Sequence, residues 1–310
     1  MIDAILFLLI GLVFLVYGAN LLITSTDEFS KKLSISGFIA SFFLIGIATS
    51  APEIFISIES ALQNKTILAV GNSIGSNISN LALVFCFAVL FMKKNQETML
   101  IPGLPFFTMI ILTIVCFSII YFDSIFDKID SYILLVLFLS CLLLFNSKNK
   151  IPSESSENLI EDNILKIILY AVIGLTLLIY GSKFFIDGAT NIALMFGVSA
   201  YVIGLTLTAL GTSLPELVTT VQSARKGKGQ FVIGNILGSN IFNIGVAMSI
   251  AGLINPAIVD SNAFLRDILL LFLSTVFFYV ITKSTKHTIK VVYSSLLITI
   301  YCIYILIILK

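Results

Sequence analysis

Two carboxylates, Glu53 and Glu216, lie inside long apolar runs in nearly identical settings, Ala48-Thr-Ser-Ala-Pro-Glu53 and Gly211-Thr-Ser-Leu-Pro-Glu216. An oxygen-rich block follows each: Gly71-Asn-Ser-Ile-Gly-Ser-Asn-Ile-Ser-Asn80 and Gly234-Asn-Ile-Leu-Gly-Ser-Asn-Ile-Phe-Asn243. Neither motif contains a lysine, arginine or histidine to pair with its carboxylate. A carboxylate at membrane depth is costly unless it faces protein, water or an ion, so an unpaired one marks a functional position. The groups around it are hydroxyls, amide oxygens and backbone carbonyls. Hard oxygen ligands suit Ca²⁺, which takes about six to eight, rather than zinc or copper. Na⁺ is also hard and accepts the same oxygens. The chemistry on offer is reversible cation binding.

The spacing places these groups together. Thr49 and Glu53 are four apart, as are Thr212 and Glu216, while Ser50 and Ser213 are three from the same carboxylates. Asn72, Ser76 and Asn80 form a stripe at spacing four, matched by Asn235, Ser239 and Asn243. Pro52 and Pro215 lack an N–H, so the carbonyls of Ala48 and Gly211 lose their helical partners, and a cation could satisfy them. Gly71, Gly75, Gly234 and Gly238 are expected to let neighbouring backbones approach closely. Hydroxyls, amides and glycines also glue helices together, which would explain any one of them. That account does not explain a duplicated Pro-Glu.

The elements that must hold these residues are membrane spans. Of the 310 residues 58% are hydrophobic and only 11% charged, against about 25% charged in soluble domains. Mean hydropathy is +1.08. With about 20 apolar residues per crossing there is room for roughly ten spans. Apolar runs place them at 4–25, 35–62, 67–92, 99–122, 131–146, 164–187, 198–224, 230–254, 263–283 and 288–309. The fifth is short and could extend outward through Ile125 and Ile129.

The chain is duplicated at an offset of 163, since Glu53 maps to Glu216, Asn80 to Asn243 and Gly11 to Gly174. The units are 1–146, with its motif at 46–80, and 164–310, with its motif at 209–243; a flexible linker, 147–163, joins them. Five spans per unit is an odd number, so the second unit enters from the opposite side. An inverted repeat with a pseudo-two-fold axis in the membrane plane follows, as in many transporters. With the N-terminus outside, thirteen of the eighteen basic residues fall on inner links, which puts both termini outside and the linker in the cytoplasm. The paired Gly11, Tyr17, Gly18 and Gly174, Tyr180, Gly181 suggest smooth faces on which spans one and six slide against the core.

Other chemistries are poorly supplied. Cys86, Cys116, Cys141 and Cys302 lie singly in apolar runs, and His287, the only histidine, stands in a short polar link. No nucleophile–base grouping exists, so an enzyme is not expected. The net charge of +1, with no basic patch, argues against a nucleic-acid partner. The run from Ile5 to Ile23 carries Asp3 in place of a basic leader and is long enough to span the membrane, so it reads as the first transmembrane helix.

The paired motifs G-T-S-x-P-E and G-S-N-x-x-N resemble the α-repeats of the cation/calcium exchanger superfamily, above all its prokaryotic sodium/calcium exchanger-like proteins. The resemblance covers nearly the whole chain. It implies an all-α integral membrane protein of ten transmembrane helices, with helices two, three, seven and eight broken around a central cation site. By that resemblance Glu53 and Glu216 are the central ligands shared by Ca²⁺ and Na⁺, and Asn80 and Asn243 complete the middle. Thr49, Ser50, Ser76, Thr212, Ser213 and Ser239, with the carbonyls of Gly46 and Ala209, line flanking Na⁺ sites.

It further implies exchange of Ca²⁺ for Na⁺ by alternating access in a prokaryotic cell membrane, with no cofactor and with a monomer sufficient for transport, an oligomer being equally compatible. A proton-driven or K⁺-assisted antiporter is the alternative, and a passive cation channel the third reading. The chain departs from the family in two places. Ala48 stands where the pattern has glycine, and Asn243 stands where many members carry aspartate, which leaves two formal negative charges at the site.

Overall fold

The computed structural model describes residues 1–92, 99–148, 163–197 and 209–308. Ten helical segments are numbered here in chain order. They are α1 (Ile2–Lys32), α2 (Gly37–Leu62), α3 (Thr66–Phe91), α4 (Gly103–Asp123), α5 (Lys128–Lys148), α6 (Ile164–Met195), α7, α8 (Gly229–Ile254), α9 (Ser261–Lys283) and α10 (His287–Ile308). α7 has two described pieces, Ala209–Thr212 and Leu214–Arg225. All but α7 are long and apolar enough, among the described residues, to cross a membrane. The first part of the expected seventh span, 198–208, and linker residues 149–162 lie outside the described residues.

The spans run past the apolar sequence where the helix costs nothing to continue. α1 extends to Lys32 and α6 to Met195, giving 31 and 32 residues. At about 1.5 Å per residue each is close to half as long again as a hydrocarbon core is thick, so both must tilt or protrude. α5 starts at Lys128, not Ser131, while Ile125 and Phe126 instead form a two-residue strand paired antiparallel with Ala257 and Ile258.

α3 and α8 are the most enclosed spans, and the main core lies along them. Ile74, Ile78, Leu81 and Phe85 of α3 meet Val232, Ile236, Leu237 and Ile244 of α8 in one buried cluster. α1 and α6 form a pair at its side. Their glycines face each other: a methyl group at Gly18 would lie 2.7 Å from the Gly174 carbonyl oxygen, and one at Gly181 would lie 2.8 Å from the Leu15 nitrogen. Gly11 meets Gly181, and Gly18 meets Gly174. Shifting both members by the repeat offset turns the first contact into the second, so the pseudo-two-fold axis passes through this pair. The expectation that these glycines face the core is therefore corrected. They seat α1 against α6, and Tyr17 and Tyr180 point outward.

Contacts between links show which ones share a face. Asp27, near the end of α1, holds Lys31 at 2.9 Å and Lys228 of the α7–α8 link at 2.5 Å. His287 at the start of α10 places Nε2 3.3 Å from the carbonyl of Met92, at the end of α3. The histidine is thus half-buried and engaged. On the other face, the strand pair joins the α4–α5 and α8–α9 links. All three contacts agree with alternating passage of ten spans.

Candidate cation site

The breaks at the motifs take two forms. α2, α3 and α8 stay helical but each contains a widened π-turn, at Ser41–Ile45, Asn80–Val84 and Asn243–Met248. Asn80 and Asn243 each open such a turn, a form often found at functional sites. α7 is interrupted outright at Ser213, whose ψ of 4° leaves the helix. Pro215 then sits in the first turn of the following piece, where a missing N–H costs little. In α2 the helix Gly46–Leu62 runs straight through Pro52. The motifs differ at Ala48 and Gly211, and alanine favours a helix interior over glycine by about 1 kcal/mol.

All four site helices converge. Glu53, Thr49 and Ser50 of α2, Ser76 and Asn80 of α3, Ser213 and Glu216 of α7, and Ser239 and Asn243 of α8 are all buried. Gly46 is buried and packs on Gly238, where a methyl group would lie 3.1 Å from the Gly238 Cα. Thr212 is partly exposed, and the side chain of Ala209 lies outside the described residues.

Many of these oxygens have no hydrogen-bond partner. Ser76 Oγ donates to Glu53 Oε1 at 3.5 Å, the long limit of such a bond, and Glu53 Oε2 has nothing. Both oxygens of Glu216, both amide atoms of Asn80, Oδ1 of Asn243 and the hydroxyls of Ser50 and Ser213 are likewise unpartnered. An unsatisfied buried polar atom costs about 1–3 kcal/mol, and more when charged. Buried groups of this kind are normally bonded to protein, water or an ion, so their concentration here marks a candidate binding site. No cluster of three or more His, Cys, Asp or Glu exists among the described residues, so neutral oxygens must supply the rest of any coordination shell.

Other polar residues of the motifs are used up within the protein. Asn235 donates to Thr219 Oγ1 at 3.1 Å and to Thr220 Oγ1 at 2.8 Å, while its Oδ1 accepts from Thr49 at 3.1 Å. It ties α7, α8 and α2 together. Gly234 and Gly238 meet α2 backbone closely, as expected, but no described atom lies within 4 Å of a methyl group at Gly71 or Gly75.

Ser182 of α6, Thr219, Thr220 and Asn77 carry roles that the sequence did not assign. Only the tertiary contacts reveal them, although Asn77 stands inside the duplicated G-S-N-x-x-N pattern. The Gly211 carbonyl accepts from Ser182 Oγ at 2.6 Å, so it is capped by protein and needs no cation. The first repeat has Ala19 at the matching position. Ser182→Ala should lower thermal stability by about 1–3 kcal/mol through the stranded carbonyl. An unchanged melting temperature would show that water replaces the hydroxyl without cost.

Comparison with known proteins agrees with this architecture. Residues 3–146 and 166–310 match the family described as sodium/calcium exchanger protein. The chain is 29% identical over 320 residues to the sodium/calcium exchanger MaX1 of Methanosarcina acetivorans, covering 87% of this chain and 91% of that protein. It is 29% identical over 281 residues to the inner membrane protein YrbG of Escherichia coli, covering 87% and 86%. Among solved structures, the sodium-calcium exchanger NCX_Mj soaked with 10 mM Na⁺ and zero Ca²⁺ superposes with a TM-score of 0.81 at 27% identity, covering 98% of each chain. The family match over both halves of the chain, on an architecture of inverted repeats with oxygen-rich motifs at the centre, places this chain in the sodium/calcium exchanger protein family.

Proposed function

We propose that this chain is a secondary antiporter that exchanges Ca²⁺ for Na⁺ by alternating access. Glu53, Glu216, Asn80 and Asn243 hold the central ion. Thr49, Ser50, Ser76, Thr212, Ser213 and Ser239, with the carbonyls of Gly46 and Ala209, serve flanking Na⁺. The observation that carries the reading is the set of buried, unpartnered oxygens on Glu53, Glu216, Asn80 and Asn243. Two carboxylates balance one Ca²⁺ or two Na⁺, so either load neutralises a site that is costly to leave charged in a low-dielectric core. The inverted repeat supplies two equivalent ways of closing around the site, one toward each side.

Purified protein in liposomes tests the assignment through uptake of radiolabelled Ca²⁺ under imposed Na⁺, K⁺ or H⁺ gradients. Uptake driven by an outward Na⁺ gradient alone is expected. Uptake driven only by a proton gradient would move the chain to the proton-coupled class. Flux without any counter-ion gradient would indicate a channel.

Both termini lie outside and the linker lies inside, a placement supported by the thirteen-to-five distribution of basic residues. Single cysteines introduced at Asn95 and Lys148 in a cysteine-free background should resist an impermeant thiol reagent in intact cells. Labelling of both from outside would reverse the orientation.

A further inference from the structure

The amide of Asn243 can ligate a cation only through its oxygen, yet an asparagine side chain can face either way. The structure contains a device that settles which way it faces. Asn77 Nδ2 lies 3.0 Å from the backbone carbonyl oxygen of Asn240, and Asn77 Oδ1 lies 3.1 Å from Asn243 Nδ2. Asn77, Asn240 and Asn243 are all at most 1% exposed. A backbone carbonyl only accepts, so the Asn77 atom against it must be the nitrogen. Its oxygen is then the atom turned to Asn243, and that oxygen also only accepts. Asn243 must therefore present its own nitrogen to Asn77 and its oxygen to the site. That oxygen is the one with no partner. The polarity runs in one direction from an atom that cannot be flipped.

We infer that Asn77 is a positioning residue that locks Asn243 as an oxygen donor, and that it keys this site to an amide at position 243. The inference rests on the reading of Asn243 as an ion ligand. The lock exists in one repeat only. Asn77 and Asn240 are repeat mates, as are Asn80 and Asn243. The mirror arrangement would have Asn240 reach across to α3 and hold Asn80. Instead Asn240 Nδ2 donates within its own helix to Ile236 O at 2.7 Å, and Asn80 has no partner at either amide atom. Asn243 is held ready while Asn80 is left to turn. A carboxylate at 243 would set a second acceptor against Asn77 Oδ1, so the added negative charge would be opposed by its own neighbour.

A double-mutant cycle on equilibrium Ca²⁺ binding to the purified full chain tests this. Asn77→Leu matches asparagine in shape but removes both the donor and the acceptor. It should weaken Ca²⁺ binding when Asn243 is present, because the amide loses its hold. Combined with Asn243→Asp it should tighten binding relative to Asn243→Asp alone, because the opposing oxygen is gone. The expected coupling is at least tenfold, with opposite signs in the two backgrounds. A merely structural Asn77 would give the same factor in both, and that result overturns the inference. Asn77→Ala provides a second arm should the leucine variant not yield folded protein. Glu216→Gln separates this inference from the reading beneath it. If it leaves Ca²⁺ binding intact, the ion site itself is wrong. If it abolishes binding while the cycle is additive, only the role of Asn77 fails.

Discussion

Glu216→Gln is expected to abolish Ca²⁺ transport in a protein that still folds. Glutamine keeps the size of the side chain and one oxygen but removes one of only two formal charges at the site. Neither oxygen of Glu216 is engaged by the protein, so the substitution breaks no described side-chain hydrogen bond. What it removes is the attraction for a divalent ion in a buried place. Deleting one partner of a buried charge pair costs about 3–5 kcal/mol, which is roughly a hundredfold to a few thousandfold in affinity. Stability without Ca²⁺ should hold, because the carboxyl that is replaced has no hydrogen-bond partner to lose. Ca²⁺ binding by calorimetry and a thermal melt without Ca²⁺ read the two effects separately. Near-normal flux in this variant would remove Glu216 from the site.

The second large effect is a contrast between two glycines. Gly18→Ala would set a methyl group 2.7 Å from the Gly174 carbonyl oxygen and 2.9 Å from Leu177 Cβ, inside the α1–α6 contact. Backbone cannot give way as a flexible side chain does. Overpacking of this kind costs about 1–3 kcal/mol and should lower the melting temperature. Gly71→Ala, on the same logic, meets no described atom within 4 Å. In mid-helix it should instead stabilise by about 0.5–1 kcal/mol, by restricting the unfolded chain. If both variants destabilise alike, the α1–α6 glycine contact is not a special close approach. Transport assays on Gly18→Ala then show whether the pair must also shift during exchange, since a splayed pair should slow flux more than it weakens equilibrium Ca²⁺ binding.

The sequence by itself determined the class of molecule and singled out the centre of its candidate site. Polar atoms are so costly in hydrocarbon that Glu53 and Glu216 stand out against apolar sequence without reference to any fold. Duplication is written in the constant offset of 163, and five spans per unit make its inversion unavoidable. The structure packs the helices that carry Glu53, Glu216, Asn80 and Asn243 against one another, and those residues keep unpartnered oxygens.

Only the tertiary structure decided which of the other polar groups are spoken for. Asn235 and Asn243 look alike in the stripe, but Asn235 is bonded at both ends by Thr49, Thr219 and Thr220, residues that meet only when three helices pack. The Gly211 carbonyl freed by Pro215 seemed available to an ion until Ser182 arrived from α6. The glycines of α1 and α6 have a periodicity that tells which face is smooth, but not which neighbour covers it. Hydrogen bonding is short-ranged and directional, so its partners are set by helix placement to within a few tenths of an ångström. Local sequence fixes which atoms require a partner in oil, and three-dimensional packing alone fixes which of them the protein leaves unpartnered.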